Sequence, residues 1–390
     1  MKKGVLLLLL VLLGGMTAGA DETAVVWSRI YRDAVNLEHR LAIMDRIVNQ
    51  NDRRLIPVMD EALGQLILLQ ENLTSATEQT LHQTLVNMIV RELGILRAIG
   101  SAPRVYRVME LRNNGFQEAL AVISLADMGA VEYTGAISER LRTINLGVVE
   151  YTSREEIETL VEACVYALER LKQPEGYESV FFASLAGYSS PVLKKINRAL
   201  VSILDDPTDI LITLLIENRN TEVKIKAVEE AARSGALPER IAEVAMEGLN
   251  QGLTMNPSNR SHALALSRLR ITSAEAIRNS GFDSIDASGM LRIMLTRMYE
   301  LNEILTCLEA LGTQKNDMAA KALADFLQYH NTRPADLRSP EDYRIVLATI
   351  AAMGNTGNPL VIPQLIEVPF RDWNREVRQA AEEALAKLGE

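Results

Sequence analysis

Past residue 20, apolar residues recur at three- and four-residue steps nearly everywhere, and no run of strict alternation bounded by turn residues interrupts them. A chain with this period can bury its apolar stripes only by packing helix against helix, so the sequence predicts an all-α protein. Helix starts are marked throughout. Ser75 with Glu78 and Ser153 with Glu156 have the spacing in which each side chain satisfies the other residue's free backbone N–H. Four further starts place a capping residue before a proline: Ser190-Pro191, Asp206-Pro207, Ser339-Pro340 and Asn358-Pro359. Punctuation this frequent implies many helices of ordinary length joined by short turns.

The helices also repeat. Leu308 to Gly312, followed by Asn316 and Leu323, recurs as Ile350 to Gly354, followed by Asn358 and Leu365, a shift of 42 residues at every position. Glycines at 100, 129, 235, 281 and 389 close similar stretches, and glycine can take the left-handed conformation that ends a helix. Their irregular spacing predicts helical repeats with loops of variable length. Length supports this, because single cores stop growing at about 250–300 residues and a chain of 390 must divide or extend as repeats. At 48% hydrophobic and 24% charged the chain is not a disordered one, and its two cysteines cannot staple it.

One segment narrows the type of repeat. Ahead of a helix stands Asp372, and Val377, Ala381, Ala384, Leu385 and Leu388 then fall on one helical face, with small alanines that permit close approach. This segment resembles the second helix of a HEAT repeat. Val361-Ile362-Pro363 through Glu367 looks like that family's first helix with its proline kink, and Leu55-Ile56-Pro57 through Glu61 resembles it again; Val223, Lys224, Ala227 and Ala231 echo the second helix. The resemblance implies an α-solenoid, a superhelix of HEAT-like antiparallel helix pairs, and protein binding along a concave surface lined by second helices. It extends from residue 96 to 390, is clearest over 350–390, and follows an N-terminal helical cap with the first helix pairs over 21–95.

The first 20 residues have the order of a bacterial secretory signal: Lys2 and Lys3, an apolar run from Val5 to Leu13, and Ala18-Gly19-Ala20 before Asp21. Nine apolar residues are about half of what a spanning helix needs. Cleavage after Ala20 is expected, leaving a mature chain that has no transmembrane segment and is periplasmic or secreted. Removing the two lysines takes the formal charge from −10 to −12.

Candidate sites are few. Trp27, Ala34, Leu41 and Val48 stand seven apart with Ile30, Leu37 and Met44 between them, which fits either a capping helix or a self-association seam of a homodimerising envelope protein. Tyr177, Phe181, Phe182 and Tyr188 gather four of the chain's few aromatics, as binding anchors or as core. Lys224 and Arg378 are expected exposed on neighbouring second helices, where they could contact a partner. Glu155, Glu156, Glu158 and Glu162 open a helix and read as a solvated face. Residues 253–261 and 331–339 are polar, carry proline and read as surface connectors. Cys164 and Cys307, about three repeats apart, are expected as free buried thiols.

The four histidines never come within a helical turn of one another, so no metal-binding spacing exists. Gly187 to Pro191 lacks the second glycine of a nucleophile elbow, and no glycine-rich loop precedes a lysine. No catalytic residue, cofactor or metal site is therefore expected. The reading that follows is an exported, non-enzymatic interaction scaffold with protein partners. The C-terminal unit is also similar to the HEAT-like repeats of phycobilisome lyases, which implies an enzyme as the alternative. Nucleic-acid binding, known for some HEAT-like DNA glycosylases, lacks its basic footprint here.

Overall fold

The computed structural model describes residues 22–297 and 300–389, so the expected secretory signal and expected cleavage site lie outside the described residues. The chain is an all-α solenoid. Two compact units divide it, one up to Leu204 and one from Asp205 onward. The first holds α1 (22–32), α2 (Leu37–Val48), α3 (Ile56–Leu69), α4 (Ala76–Ile95), α5 (Ala102–Leu111), α6 (Gly115–Met128), α7 (Thr134–Asn145), α8 (Arg154–Leu171), α9 (Tyr177–Ala183) and α10 (Ser190–Ile203). The second holds α11 (Thr208–Glu217), α12 (Thr221–Arg233), α13 (Pro238–Thr254), α14 (Arg260–Ser280), α15 (Ile285–Arg297), α16 (Leu301–Thr313), α17 (Asp317–Thr332), α18 (Pro340–Thr356), α19 (Ile362–Glu367) and α20 (Arg375–Gly389). No strand occurs among the described residues. The sequence boundary at residue 95 falls inside the first unit, at the end of a helix that packs directly on α6.

Within each unit the helices form two rows. In the first, α2, α4, α6, α8 and α10 pack each on the next; in the second, α12, α14, α16, α18 and α20 do the same. From α3 onward, odd-numbered helices make the facing row and pair with the even helix that follows them. The periodicity read from sequence is the cause: in α8, Leu160, Val161, Cys164, Leu168 and Leu171 lie on one stripe and all are buried.

Glycine's part differs from the expected one at several repeats. Gly129 and Gly281 do close α6 and α14 in the left-handed region, at φ 77° and 66°. Gly312 and Gly354 instead lie inside α16 and α18. A Cβ on Gly312 would stand 3.0 Å from Ala352 Cα, and one on Gly354 would stand 3.1 Å from Ala384 Cβ. The two glycines set 42 residues apart are therefore contact points that let even helices touch backbone to backbone. Gly94 meets Ser124 of α6 in the same way, at 3.0 Å.

The repeated asparagines cap and bridge at once. Asn316 accepts from Ala319 N while its amide donates to Asp283 Oδ1 at 2.7 Å and Ser288 Oγ at 2.9 Å. Asn358 accepts from Leu360 N and donates to Asp317 Oδ1 at 2.8 Å. Each thus ties the start of one odd helix to the start of the one before it.

Other starts depart in detail. The Ser75 and Glu78 box is formed, and Ser339 forms one with Asp342. Ser153 accepts from Glu156 N, but the Glu156 carboxylate is taken by Gly115 N instead of returning to Ser153. Ser190 is the first residue of α10, and the cap position falls on Ser189. The prolines expected to kink first helices open them: Pro57 and Pro363 occupy the first turns of α3 and α19, each entered through a 3₁₀ turn.

The N-terminal heptad is not one helix. The chain leaves α1 near residue 33, and Asn36 caps α2 by accepting from His39 N at 2.9 Å. Met44 is buried, whereas Ile30 is exposed.

Candidate functional site

In the second unit, the ends of α15 and α17 and the starts of α16 and α18 enclose a cleft of about 700 Å³. That volume lies within the roughly 300–1,000 Å³ of small-ligand pockets. Its floor is apolar: Leu295, Ile304, Ala322 and Ile345 are all buried. One wall is aromatic, because Phe326, Tyr329 and His330 stand at helical spacing on α17 and so share a face. Both Phe326 and Tyr329 meet the imidazole edge to face, at centroid distances of 4.9 and 5.2 Å. Tyr329 is 60% exposed and His330 only 4%.

The rim carries charge. Arg333 Nη1 lies 2.5 Å from Asp342 Oδ1, and Arg292 Nη2 lies 3.4 Å from Asp325 Oδ2. Asp342 also accepts from Ser339 N at 2.7 Å and from Ser339 Oγ at 3.0 Å. Burial works against the Asp342 carboxylate, yet these bonds and the Arg333 charge hold it below the ordinary range. The His330 Nδ1 has no hydrogen-bond partner and stands 3.6 Å from Asp342 Oδ1. Burial, helped by Arg333 and Arg338 and opposed by Asp342, lowers its pKa from the ordinary 6.5, so the ring is neutral at pH 7. Glu341 at the mouth is exposed and has no ion-pair partner among the described residues.

The connector beside this cleft is tied down. Arg338 donates to Asp372 O at 2.7 Å and Arg333 O at 2.9 Å, and its guanidinium lies 3.8 Å from the centre of the Trp373 ring. Trp373 in turn donates to Asn331 Oδ1 at 2.8 Å. Residues 331–339 are therefore held in place against the next helix pair, and they frame the cleft.

The residues singled out from sequence fare unevenly. Tyr177 and Phe181 are fully buried and belong to the core. Phe182 and Tyr188 are half-buried; Phe182 packs edge to face on Phe181, and Tyr188 donates to Asn145 Oδ1 at 2.8 Å. Lys224 is not exposed: it is 2% accessible, and its ammonium donates to Leu215 O and to Gln251 Oε1. It stands among the buried residues of α12, which include Val223, Ala227, Val228 and Ala231, and its ammonium caps a carbonyl near the end of α11. Arg378 is exposed as expected. The acidic run is not a plain solvated face, because Glu158 accepts from Ser189 N and Oγ, Glu162 pairs with Lys195 at 2.6 Å and Glu156 holds Gly115. Cys164 and Cys307 are free and buried, with burial pushing both thiols up.

A buried charge network lies in the first unit. Arg140 holds Glu118 in a two-point pair at 2.6 and 2.9 Å and reaches Glu150 at 2.9 Å, while Tyr151 donates to Glu118 at 2.6 Å. Burial opposes the Arg140 charge, but the two carboxylates hold its pKa above the ordinary range. The network joins α6, α7 and the connection before α8, and a smaller cavity of about 340 Å³ adjoins it. Sequence reasoning reached neither this cluster nor the cleft. The one local signal for the cleft was the spacing of Phe326, Tyr329 and His330 just ahead of a polar connector.

No protein-family model matches the chain, and no curated protein matches it. Solved structures do. Human deoxyhypusine hydroxylase in complex with glycerol is 17% identical over 97% of this chain and 99% of its own, with a TM-score of 0.28. An engineered protein is 14% identical over 93% of this chain and 99% of its own, with a TM-score of 0.35. With scores this low, the assignment to helical solenoids rests on the helix rows themselves.

Proposed function

We propose that this protein is an exported, non-enzymatic scaffold that binds partner proteins, and that the cleft at the ends of α15 and α17 is its recognition site. The cleft carries the reading: an apolar floor, an aromatic wall with Tyr329 exposed and a charged rim combine the features of an anchor pocket. The resemblance of residues 361–389 to a HEAT helix pair supports it, since stacked helix pairs present extended binding surfaces.

The test is affinity capture from the envelope of the source cell with immobilised wild-type chain and a Tyr329→Ala, Phe326→Ala variant, each checked by circular dichroism. A partner retained by the wild type and lost by the folded variant is the expected result. Identical captured sets would overturn the cleft as the recognition site, and turnover of a small substrate by the chain would overturn the non-enzymatic reading. N-terminal sequencing of the natural protein should begin at Asp21; an intact Met1 would overturn export by cleavage.

A further inference from the structure

The cleft's charges point to the chemistry of what enters it. Arg333 is neutralised by Asp342 at 2.5 Å, and Arg292 faces Asp325 at 3.4 Å. These pairs cancel, and the remaining rim charge is the carboxylate of Glu341, exposed at the mouth without an ion-pair partner among the described residues. The aromatic wall lines the same cleft. Tyr329 presents a ring that is 60% exposed, and Phe326 lies one turn before it. Aromatic faces carry negative potential and attract cations, more strongly where water is partly excluded. His330, neutral at pH 7, adds no opposing charge.

We propose that the cleft receives a lysine or arginine side chain from an extended segment of a partner protein, its cationic end between Glu341 and the Tyr329 ring and its apolar neighbours on the floor of Leu295, Ile304 and Ile345. This rests on the scaffold reading and adds the charge of the ligand to it. The volume agrees, because about 700 Å³ exceeds what one side chain fills and accommodates the flanking residues of a short peptide. The formal charge of the chain, −10, also favours the approach of basic segments.

The experiment uses the full chain and three end-capped heptapeptides of leucine and alanine that differ only at the central residue: lysine, norleucine or glutamate. Binding is followed by calorimetry at low and physiological salt. The lysine peptide should bind about threefold to tenfold more tightly than the norleucine peptide, with the glutamate peptide weakest. E341Q and Y329L should each bring the lysine peptide's affinity to within about twofold of the norleucine peptide's, measured in the same variant. Both positions are exposed, so these variants should keep the wild-type circular dichroism. Equal binding of the lysine and norleucine peptides would overturn the cation inference and leave the scaffold reading standing. If none of the peptides bound but tetramethylammonium did so in an E341-dependent way, the site would take a small organic cation, and both readings would fall. Preference for the glutamate peptide would assign the rim the opposite polarity and overturn the proposal directly.

Discussion

At the scale of single residues, burial decides what a charged side chain does. Lys224 and Arg378 look alike in sequence, yet one is 2% accessible with its ammonium bonded to Leu215 O and Gln251, and the other is exposed. Lys224→Ala would leave a cavity and a carbonyl without its donor. It should destabilise the second unit by about 2–4 kcal/mol, whereas Arg378→Ala should stay within about 0.5 kcal/mol; urea unfolding checks both. His330 gives a pH signature. Its pKa in the folded chain lies below the ordinary 6.5, so the unfolded chain binds the proton first and stability falls as pH drops below 6.5. Asp342, with its carboxyl held below the ordinary 3.8, contributes stability that is lost only at lower pH still. His330→Phe should flatten the loss below pH 6.5 and leave the one below pH 3.8 in place, as read from urea midpoints across that range.

At the scale of elements, close helix approach and buried charge do the joining. Gly312 stands where a Cβ would meet the Ala352 backbone at 3.0 Å, while Gly289 on α15 faces open space. Both lie in helices, so alanine helps the local backbone equally and only packing separates them. Gly312→Ala should cost about 1–3 kcal/mol by forcing α16 and α18 apart, and Gly289→Ala should gain about 0.5–1 kcal/mol. Thermal unfolding of the two variants measures the contrast. In the first unit, Glu118→Ala would leave the Arg140 guanidinium buried against Glu150 alone. The expected loss is about 3–5 kcal/mol, since removing one partner of a buried pair strands the other. Unfolding of that variant by urea should show it.

For the whole molecule, the division into two compact units, each with its own buried cysteine, makes the thiols independent reporters. Cys164 and Cys307 are both fully buried, and burial keeps both protonated, so alkylation requires local opening. In full-length chain carrying Glu118→Ala, iodoacetamide should label Cys164 many times faster than in the wild type and Cys307 at an unchanged rate. Peptide mass spectrometry under non-reducing conditions reads both sites in one sample. Equal acceleration at both would mean that opening is global.

Much of this architecture was legible before any coordinate. The period of the apolar residues predicts helices, because a helix sorts side chains onto faces by spacing alone. The Ser75 box, the Asn358 cap and the recurrence over 42 residues are likewise short-range statements that a linear reading can make. Their partners were not legible. Gly312 reads as a helix end until Ala352 is seen against it, Lys224 reads as a surface cation until Leu215 and Gln251 enclose it, and the heptad from Trp27 reads as one helix until Asn36 caps a second. The cleft needs Leu295, Ile304, Tyr329 and Ile345, drawn from four helices, and the Arg140 network needs Glu118 and Glu150 from the two sides of α7. Local sequence determined which residues form helices and which faces those helices bury; the tertiary structure alone decided which charges meet, because pairing across helices depends on loop lengths and packing that no local period encodes.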